Sequence, residues 1–459
     1  MTNAKLKLVA KRFLVTSCVL PRMHFWSRVG QSSSDLNQCI HAIDSALRNF
    51  GQLLTGTESL SDECWEQIQQ PLRWGGLGLT NPLKTAEDIR KRATLECRKA
   101  IQSQKLSFDC ASLDKMIVPI LNSICPNQIN GFLSTSEKEN TIRSFQTGSQ
   151  FLQATWKEKF QRVLHCRDEA PPVESWTHKA KIRSIGGTGA LGFLNSLPNP
   201  KFSLSDQQMV MAAQIILGIV PNMGHRCSEQ PPSLVQSQRI IDCPQTRGIR
   251  SWRHNQQRDL LASFARKLGY QVIVEPLLES LTTSEESFMG GKRGDLLING
   301  NHLPNELLVD FVVTHPDSQS HVHKAANTRG IAARIAEQSK RTKYRTFTEK
   351  MRPGMEFIPA SMECYGLVGQ PTRRLINRLL DYAPALTVYD KSIERSKCIY
   401  KLSSTCWKFL CNMYLHMRHL HYLDQCHLHI SNYTCNGIDQ TVSSEYTQEI
   451  HLIESVTVS

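Results

Sequence analysis

Apolar residues recur at three- and four-residue steps through much of this chain. Over Asp35–Leu54 they fall at Leu36, Ile40, Ile43, Leu47, Phe50 and Leu54, the stripe of an amphipathic helix. Residues 1–56 read as helical throughout, and 84–180 as mostly helical and polar, with a linker near Asp168–Pro172. Ser205-x-x-Gln208 has the form of a capping box. It opens a helix through Met209, Ala212, Ala213, Ile216 and Leu217.

From Trp252 a helix runs to Leu268 and stops at Gly269, where strand Tyr270–Glu275 begins. Asp295–Ile298 and Leu307–Val313 are short, Leu/Ile/Val-rich runs of strand character. The Asn299–Asn305 segment between them is dense in turn formers. A basic helix follows over His321–Lys350, then a strand over Met355–Ala360 and a helix near Arg373–Tyr382. The expected fold is therefore α+β: a mostly helical N-terminal region followed by an α/β unit of about 140 residues, a common domain size. The divisions expected are 1–110, 111–250, 251–390 and 391–459. The last has little clean periodicity and many Cys and His residues, and is expected to be poorly ordered.

Two glycine-rich segments interrupt the helical pattern. Pro71–Leu79 holds three glycines in four positions, too many for a helix. It suits a tight loop packed under a helical module. Gly186–Leu194 is not a nucleotide fingerprint, because no strand precedes it and no Gly-Lys-Ser/Thr follows.

Charge narrows the partner class. The 459 residues carry a net charge of +13 and a pI near 9.1, which points to a polyanion such as nucleic acid. No apolar run approaches the roughly 18–20 residues of a membrane span. The Phe13–Leu20 run after Lys11 and Arg12 is short and lacks a cleavage motif, so no signal peptide is expected. Fifteen cysteines without pairing rhythm suit a reducing compartment, nuclear or cytoplasmic.

The most direct chemical proposal lies in the hairpin. If its turn centres between His302 and Leu303, Asp295 faces Asp310 across the strands. Directly opposed residues have Cβ atoms about 4.5–5.5 Å apart. Two carboxylates so close repel unless a cation joins them, and Mg2+ (or Mn2+) favours one or two carboxylates plus waters and substrate phosphate. Asp295 also reads as an ordinary turn residue paired with Lys292 or Arg293. Asp310 interrupts an apolar run, where an unpaired charge is costly. Lys340, Lys343 and Tyr344 share one helical face, with Ala332, Ala336 and Ser339 as a packing seam beside it. The His321–Lys350 segment has eight basic and two acidic residues. Arg329, Arg334, Arg341, Tyr344 and Arg345 are its candidate nucleic-acid contacts. Cys227, Cys243 and His254 offer three zinc ligands where a structural site needs four, so zinc is not expected.

In order and spacing these motifs resemble the C-terminal part of a non-long-terminal-repeat retrotransposon polyprotein, over roughly residues 1–390. Pro71–Leu79 resembles the "LPxRxGGLGL" element after the reverse-transcriptase palm, and helix 35–54 the thumb helix. Gly189–Leu194, Pro198 and the helix ending at Leu217-Gly218 are similar to the connector. Cys227, Cys243 and Arg253-His254-Asn255 resemble the remains of a Cys-Cys-His-Cys knuckle. Gly294-Asp295, Asp310 and Lys340-x-x-Lys343-Tyr344 resemble a restriction-like endonuclease of PD-(D/E)XK type.

The resemblance implies that Asp295 and Asp310 hold the metal and that Lys340 or Lys343 is the catalytic lysine, carried on the helix. Val312 stands where the common motif has its lysine. Glu275 becomes an auxiliary acid. The implied activity is nicking of target DNA for target-primed reverse transcription, with DNA and RNA as partners. The alternative is a catalytically inactive nucleic-acid-binding remnant. Three departures stand out: Gly294 replaces a proline, Ser228-Glu229 and Gln238-Arg239 replace knuckle ligands, and no Tyr/Phe-x-Asp-Asp polymerase motif occurs. The chain is therefore expected to lack the palm and to be unable to copy RNA.

Overall fold

The computed structural model describes residues 7–22, 34–80, 148–195, 202–220, 236–283, 291–383 and 386–434. Cys227, Pro198, most of the polar helical stretch before residue 148, and everything after 434 lie outside the described residues. The fold is mixed α+β, with one four-stranded sheet.

The helical region is built on α1 (Leu8–Leu14), α2 (Ser34–Thr55), α3 (Asp62–Gln69), α4 (Gly148–His165), α5 (Pro172–Ile185), α6 (Asp206–Leu217) and α7 (Gln236–Asp242). The stripe expected on α2 is buried at Leu47 and Leu54, with Ile43 and Phe50 packed alongside. The Ser205 box closes as expected: Ser205 Oγ accepts from Gln208 N–H at 3.2 Å and Gln208 Oε1 accepts from Ser205 N–H at 2.9 Å.

The first glycine segment is a structural loop. Leu77 N–H donates to the Ile68 carbonyl at 3.1 Å, and Leu77 and Leu79 are fully buried. A Cβ at Gly76 would collide with the carbonyl oxygens of Gln67 and Gln70. The buried Arg12 guanidinium ties this loop to the second glycine segment. Nε and Nη2 donate to the Leu77 carbonyl (2.9 and 2.6 Å) and Nη1 to that of Leu194 (2.7 Å). Burial draws its pKa down to about 9, because water no longer solvates the cation.

The sheet follows α8 (Arg247–Lys267). Strands β1 (Gln271–Val274), β2 (Leu296–Asn299), β3 (Glu306–Thr314) and β4 (Met355–Glu363) lie in that order. β1–β2 and β2–β3 are antiparallel, and β3–β4 is parallel. The parallel step is made by a crossover of α9 (Val322–Asn327), α10 (Ile331–Lys343) and α11 (Arg345–Glu349), as parallel strands require. α12 (Gln370–Asp381) follows β4. Strand alternation sorts the sheet into two faces. Leu296, Ile298, Leu307, Val309 and Phe311 pack with Leu261 and Ala265 of α8 and Leu375 and Leu379 of α12. Leu297 and Leu308 pack with Tyr344 and Phe347 on the crossover side.

Three expectations need correction. The basic segment is not one helix. Gly330 takes a left-handed conformation (φ 73°) and Tyr344 leaves helical geometry (φ −100°, ψ 12°), which cuts the segment into three. The close-packed small residues are Ala332 and Ala333, while Ser339 is exposed. The region beyond 390 is not a loose tail over its described length. α13 runs from Val388 to Thr434. It buries Tyr400, Trp407, Leu410 and Met413 in the helical core and Cys398, Leu402 and Cys406 in the sheet core. A helix covered on several sides has no single apolar stripe, which is why periodicity did not reveal it. Because α13 serves both cores, and Cys364 and Tyr365 after β4 join the helical core, packing continues across residues 250 and 390.

Candidate active site

The hairpin has the register that its turn chemistry predicts. Leu296 pairs with Val309, Leu297 with Leu308 and Ile298 with Leu307. One further step sets Asp295 opposite Asp310. The β1–β2 register (Val274 with Leu296) brings Glu275 beside Asp295, and Glu275 N–H donates to the Asp295 carbonyl at 3.0 Å. Glu275 and Asp295 lie one residue outside the printed ends of β1 and β2, so only Asp310 of the three acids sits within a strand.

Asp310 is 5% exposed. Lys340 Nζ lies 2.5 Å from its Oδ2, and the Tyr344 hydroxyl donates to its Oδ1 at 3.5 Å. Burial pushes the Asp310 carboxyl above the usual carboxylate range, opposed by the Lys340 ammonium. Burial and the charges of Asp310 and Asp295 push the Tyr344 phenol up. Both carboxylates thus act on the same small volume.

Asp295 is held from one side. Its Oδ2 accepts the Phe311 N–H at 2.5 Å and faces His254 Nε2 at 3.3 Å. The same nitrogen lies 3.0 Å from the Phe311 carbonyl. The hydrogen bond to Asp295 leads the effects that raise the His254 pKa. Among the described residues no hydrogen bond to Oδ1 of Asp295 is formed, which leaves that oxygen for a ligand.

Glu275 contributes its backbone but not its carboxylate. It sits at φ 53°, a costly conformation for a side chain with a Cβ. Its carboxylate pairs with Arg258, and its carbonyl accepts from Arg293 Nη1 at 3.0 Å. Gly294, where the resembled motif has proline, donates its N–H to the Pro276 carbonyl at 3.0 Å, a bond proline could not make.

The other predicted residues separate. Lys340, not Lys343, meets Asp310; Lys343 Nζ stands 4.9 Å from the Tyr344 ring centroid. Arg334, Arg341 and Arg345 are exposed along α10 and α11, and Arg345 pairs with Glu349 at 3.2 Å. Arg329 instead donates from Nε to the Arg183 carbonyl at 3.0 Å, against α5. Of the zinc candidates, Cys243 is fully buried and His254 belongs to the aspartate site. Sequence reasoning missed that role for His254. It is set by how α8 lies on the sheet, and no local pattern encodes it.

Among the described residues no three His, Cys, Asp or Glu side chains gather as a metal cage. Two carboxylates, one with a free oxygen and one buried against a lysine, nonetheless fit a hydrated Mg2+ or Mn2+, which keeps several waters and substrate oxygens as ligands. The chain matches no protein-family model and no curated protein. Among the described residues no helix is long and apolar enough to cross a membrane.

Proposed function

We propose that this chain is a divalent-metal-dependent DNA endonuclease with a restriction-endonuclease-like α/β region, derived from a retroelement polyprotein. What supports this reading is that Asp295, one residue beyond the β2–β3 register, continues it toward Asp310, whose buried carboxylate has Lys340 Nζ 2.5 Å away. When bound, the cation supplies a Lewis acid for phosphodiester hydrolysis. Asp295 Oδ1 and the Asp310 carboxylate would hold it. His254 and the Phe311 N–H fix the other Asp295 oxygen and so orient the carboxylate. Lys340 is placed to neutralise charge on a phosphate oxygen, and Tyr344 keeps the Asp310 side chain aimed. Nicking of target DNA for target-primed reverse transcription, with RNA as a second partner, follows from the resemblance of the motifs. Among the cysteines whose side chains are described no disulfide is formed, in keeping with a nuclear or cytoplasmic site of action.

One observation favours a second reading. The Glu275 carboxylate is tied to Arg258, and an Asp–Lys pair can be purely structural. A nucleic-acid-binding remnant without catalysis would then remain. Incubating supercoiled plasmid with the protein in Mg2+ or Mn2+, against EDTA, separates the two. Metal-dependent nicking supports the endonuclease. Salt-sensitive binding without cleavage in either metal supports the remnant.

A further inference from the structure

Arg183 on α5 and Arg329, in the turn before α10, lie where each side chain bonds a carbonyl of the other's segment. Arg183 Nε donates to the Ala326 carbonyl at 2.6 Å, and Arg329 Nε donates to the Arg183 carbonyl at 3.0 Å. Each spends only Nε on the protein. Among the described residues no carboxylate pairs with either guanidinium. Desolvation holds both pKa values below the usual arginine range, and for Arg329 the charge of Arg183 adds to this. Two neighbouring cations without a counter-charge are electrostatically costly, and an anion bound by both lowers the cost.

The surroundings are shaped for a ligand. The Arg329 guanidinium lies 6.0 Å from the Phe160 ring centroid. Phe160 packs against Trp74 with ring centroids 5.0 Å apart and planes tilted by 49°, and Arg73 lies 6.0 Å from the Trp74 ring. Each ring of this tilted pair thus has a guanidinium over it. Gly186 keeps this spot open, since a Cβ there would lie 3.2 Å from Arg329 Nη2.

We propose that Arg183 and Arg329, with Arg73 beside them, hold a backbone phosphate of a nucleic-acid strand at a site separate from the aspartates. Guanidiniums suit phosphate because their paired N–H groups match its oxygens. The choice of nucleic acid over other phosphates rests on the endonuclease reading and on the path between the sites. α10 spans Ile331–Lys343, so Arg329 and Lys340 lie on the order of 15 Å apart at about 1.5 Å per residue. At roughly 3.4 Å per phosphate along one strand, that separates the two contacts by about four or five nucleotides. The exposed Arg334 lies on the helix between them, and Arg341 just beyond Lys340.

The test is binding of a labelled DNA duplex, followed by anisotropy across a salt series in EDTA, where cleavage plays no part. For Arg183→Gln/Arg329→Gln the slope of log K against log salt becomes shallower by about 0.9, the contribution of one phosphate contact. Arg183→Lys/Arg329→Lys keeps the charge and most of the slope. If the double Gln variant does not fold by thermal melting, Arg329→Gln alone reads the site with about half the change. An unchanged slope in a folded Gln variant overturns the proposal. So does competition by inorganic phosphate beyond chloride at equal ionic strength, which would assign the site to free phosphate. A protein that binds with this salt dependence but never nicks keeps the phosphate site and loses the endonuclease. One that nicks normally with an unchanged slope does the reverse.

Discussion

Lys340 Nζ lies 2.5 Å from Oδ2 of Asp310, so the last turn of α10 is pinned to the middle of β3 by one buried ion pair. The pairing has a cost and a use. Asp310 leaves water in the interior of an apolar strand, and only a cation makes that tolerable. On the endonuclease proposal, the same ammonium would meet the scissile phosphate beside the two carboxylates.

Replacing Lys340 by Gln leaves the Asp310 carboxylate with a weaker partner. Folding stability falls by roughly 1.5–3 kcal/mol, the scale of a hydrogen bond to a charged group. Nicking falls by about a hundredfold or more, as for loss of one preorganised charge-stabilising group. Lys343→Gln, which removes a contact to the Tyr344 ring and a charge that acts on Asp310 more weakly than Lys340, changes both far less. Denaturant unfolding and a nicking time course on the same two proteins check this.

His254 acts on Asp295 through a contact of 3.3 Å. His254→Ala leaves the Phe311 N–H on Asp295 Oδ2 but frees the carboxylate to turn. Mn2+ affinity, by isothermal titration, is expected to fall about 10–100-fold, the range for lost ligand-orienting partners. Affinity equal to that of the unaltered chain would remove His254 from the site.

A second buried charge group sits away from the aspartates. His315 lies between Asp242 (Nε2 to Oδ1, 3.1 Å) and Asp317 (Nδ1 to Oδ1, 3.4 Å). Although burial opposes it, these carboxylates raise its pKa to about 9. Raised above the ordinary 6.5, the group stabilises the fold fully below that pH and loses its contribution as pH rises through about 9. The shift corresponds to a contribution on the order of 3 kcal/mol. Lys181 works the other way. Burial and Arg167 draw its pKa down to about 8, so its penalty eases as pH rises above that value. Comparing the melting temperature from pH 6 to 9 with that of His315→Gln isolates the histidine, and the variant should lose most of the decline.

Arg12→Met removes three donors from two buried carbonyls, those of Leu77 and Leu194. At about 1–3 kcal/mol per unsatisfied buried group, the loss is roughly 2–6 kcal/mol. Chemical denaturation measures it. No change would mean that the glycine loop and α1 do not depend on each other.

Trp407 is fully buried, and its Nε1 donates to the Ala190 carbonyl at 2.9 Å, where Ser403 Oγ also donates at 2.7 Å. Trp407→Ala should cost about 3–5 kcal/mol. A loss under about 1 kcal/mol, typical of surface positions, would make the region beyond 390 the loose tail that its composition suggested.

The legible parts of this chain are those whose signal is local. The register of Leu296–Ile298 against Leu307–Val309 followed from where the turn formers sit and from the two-residue period of the flanking strands. The Ser205 capping box and the stop at Gly269 were equally local. The unread parts depend on distant partners. α13 carries no stripe because both cores cover it. Arg329 reads as one of a basic row, yet its nearest partner is the carbonyl of Arg183, on a helix far back in the chain. His254 looks like a knuckle remnant beside Arg253 and Asn255, and only the lie of α8 on the sheet turns it to Asp295. The cut at Gly330 was visible as a glycine, but the run of basic residues around it suggested continuity.

The most direct test of the central claim is metal-dependent nicking of supercoiled plasmid by the unaltered chain beside Asp295→Asn and Asp310→Asn. Mn2+ binding is followed in parallel by electron paramagnetic resonance. The account predicts nicking that needs Mg2+ or Mn2+, that either substitution abolishes, and that disappears together with bound Mn2+ while both variants stay folded. Nicking at an undiminished rate in folded Asp310→Asn would contradict it.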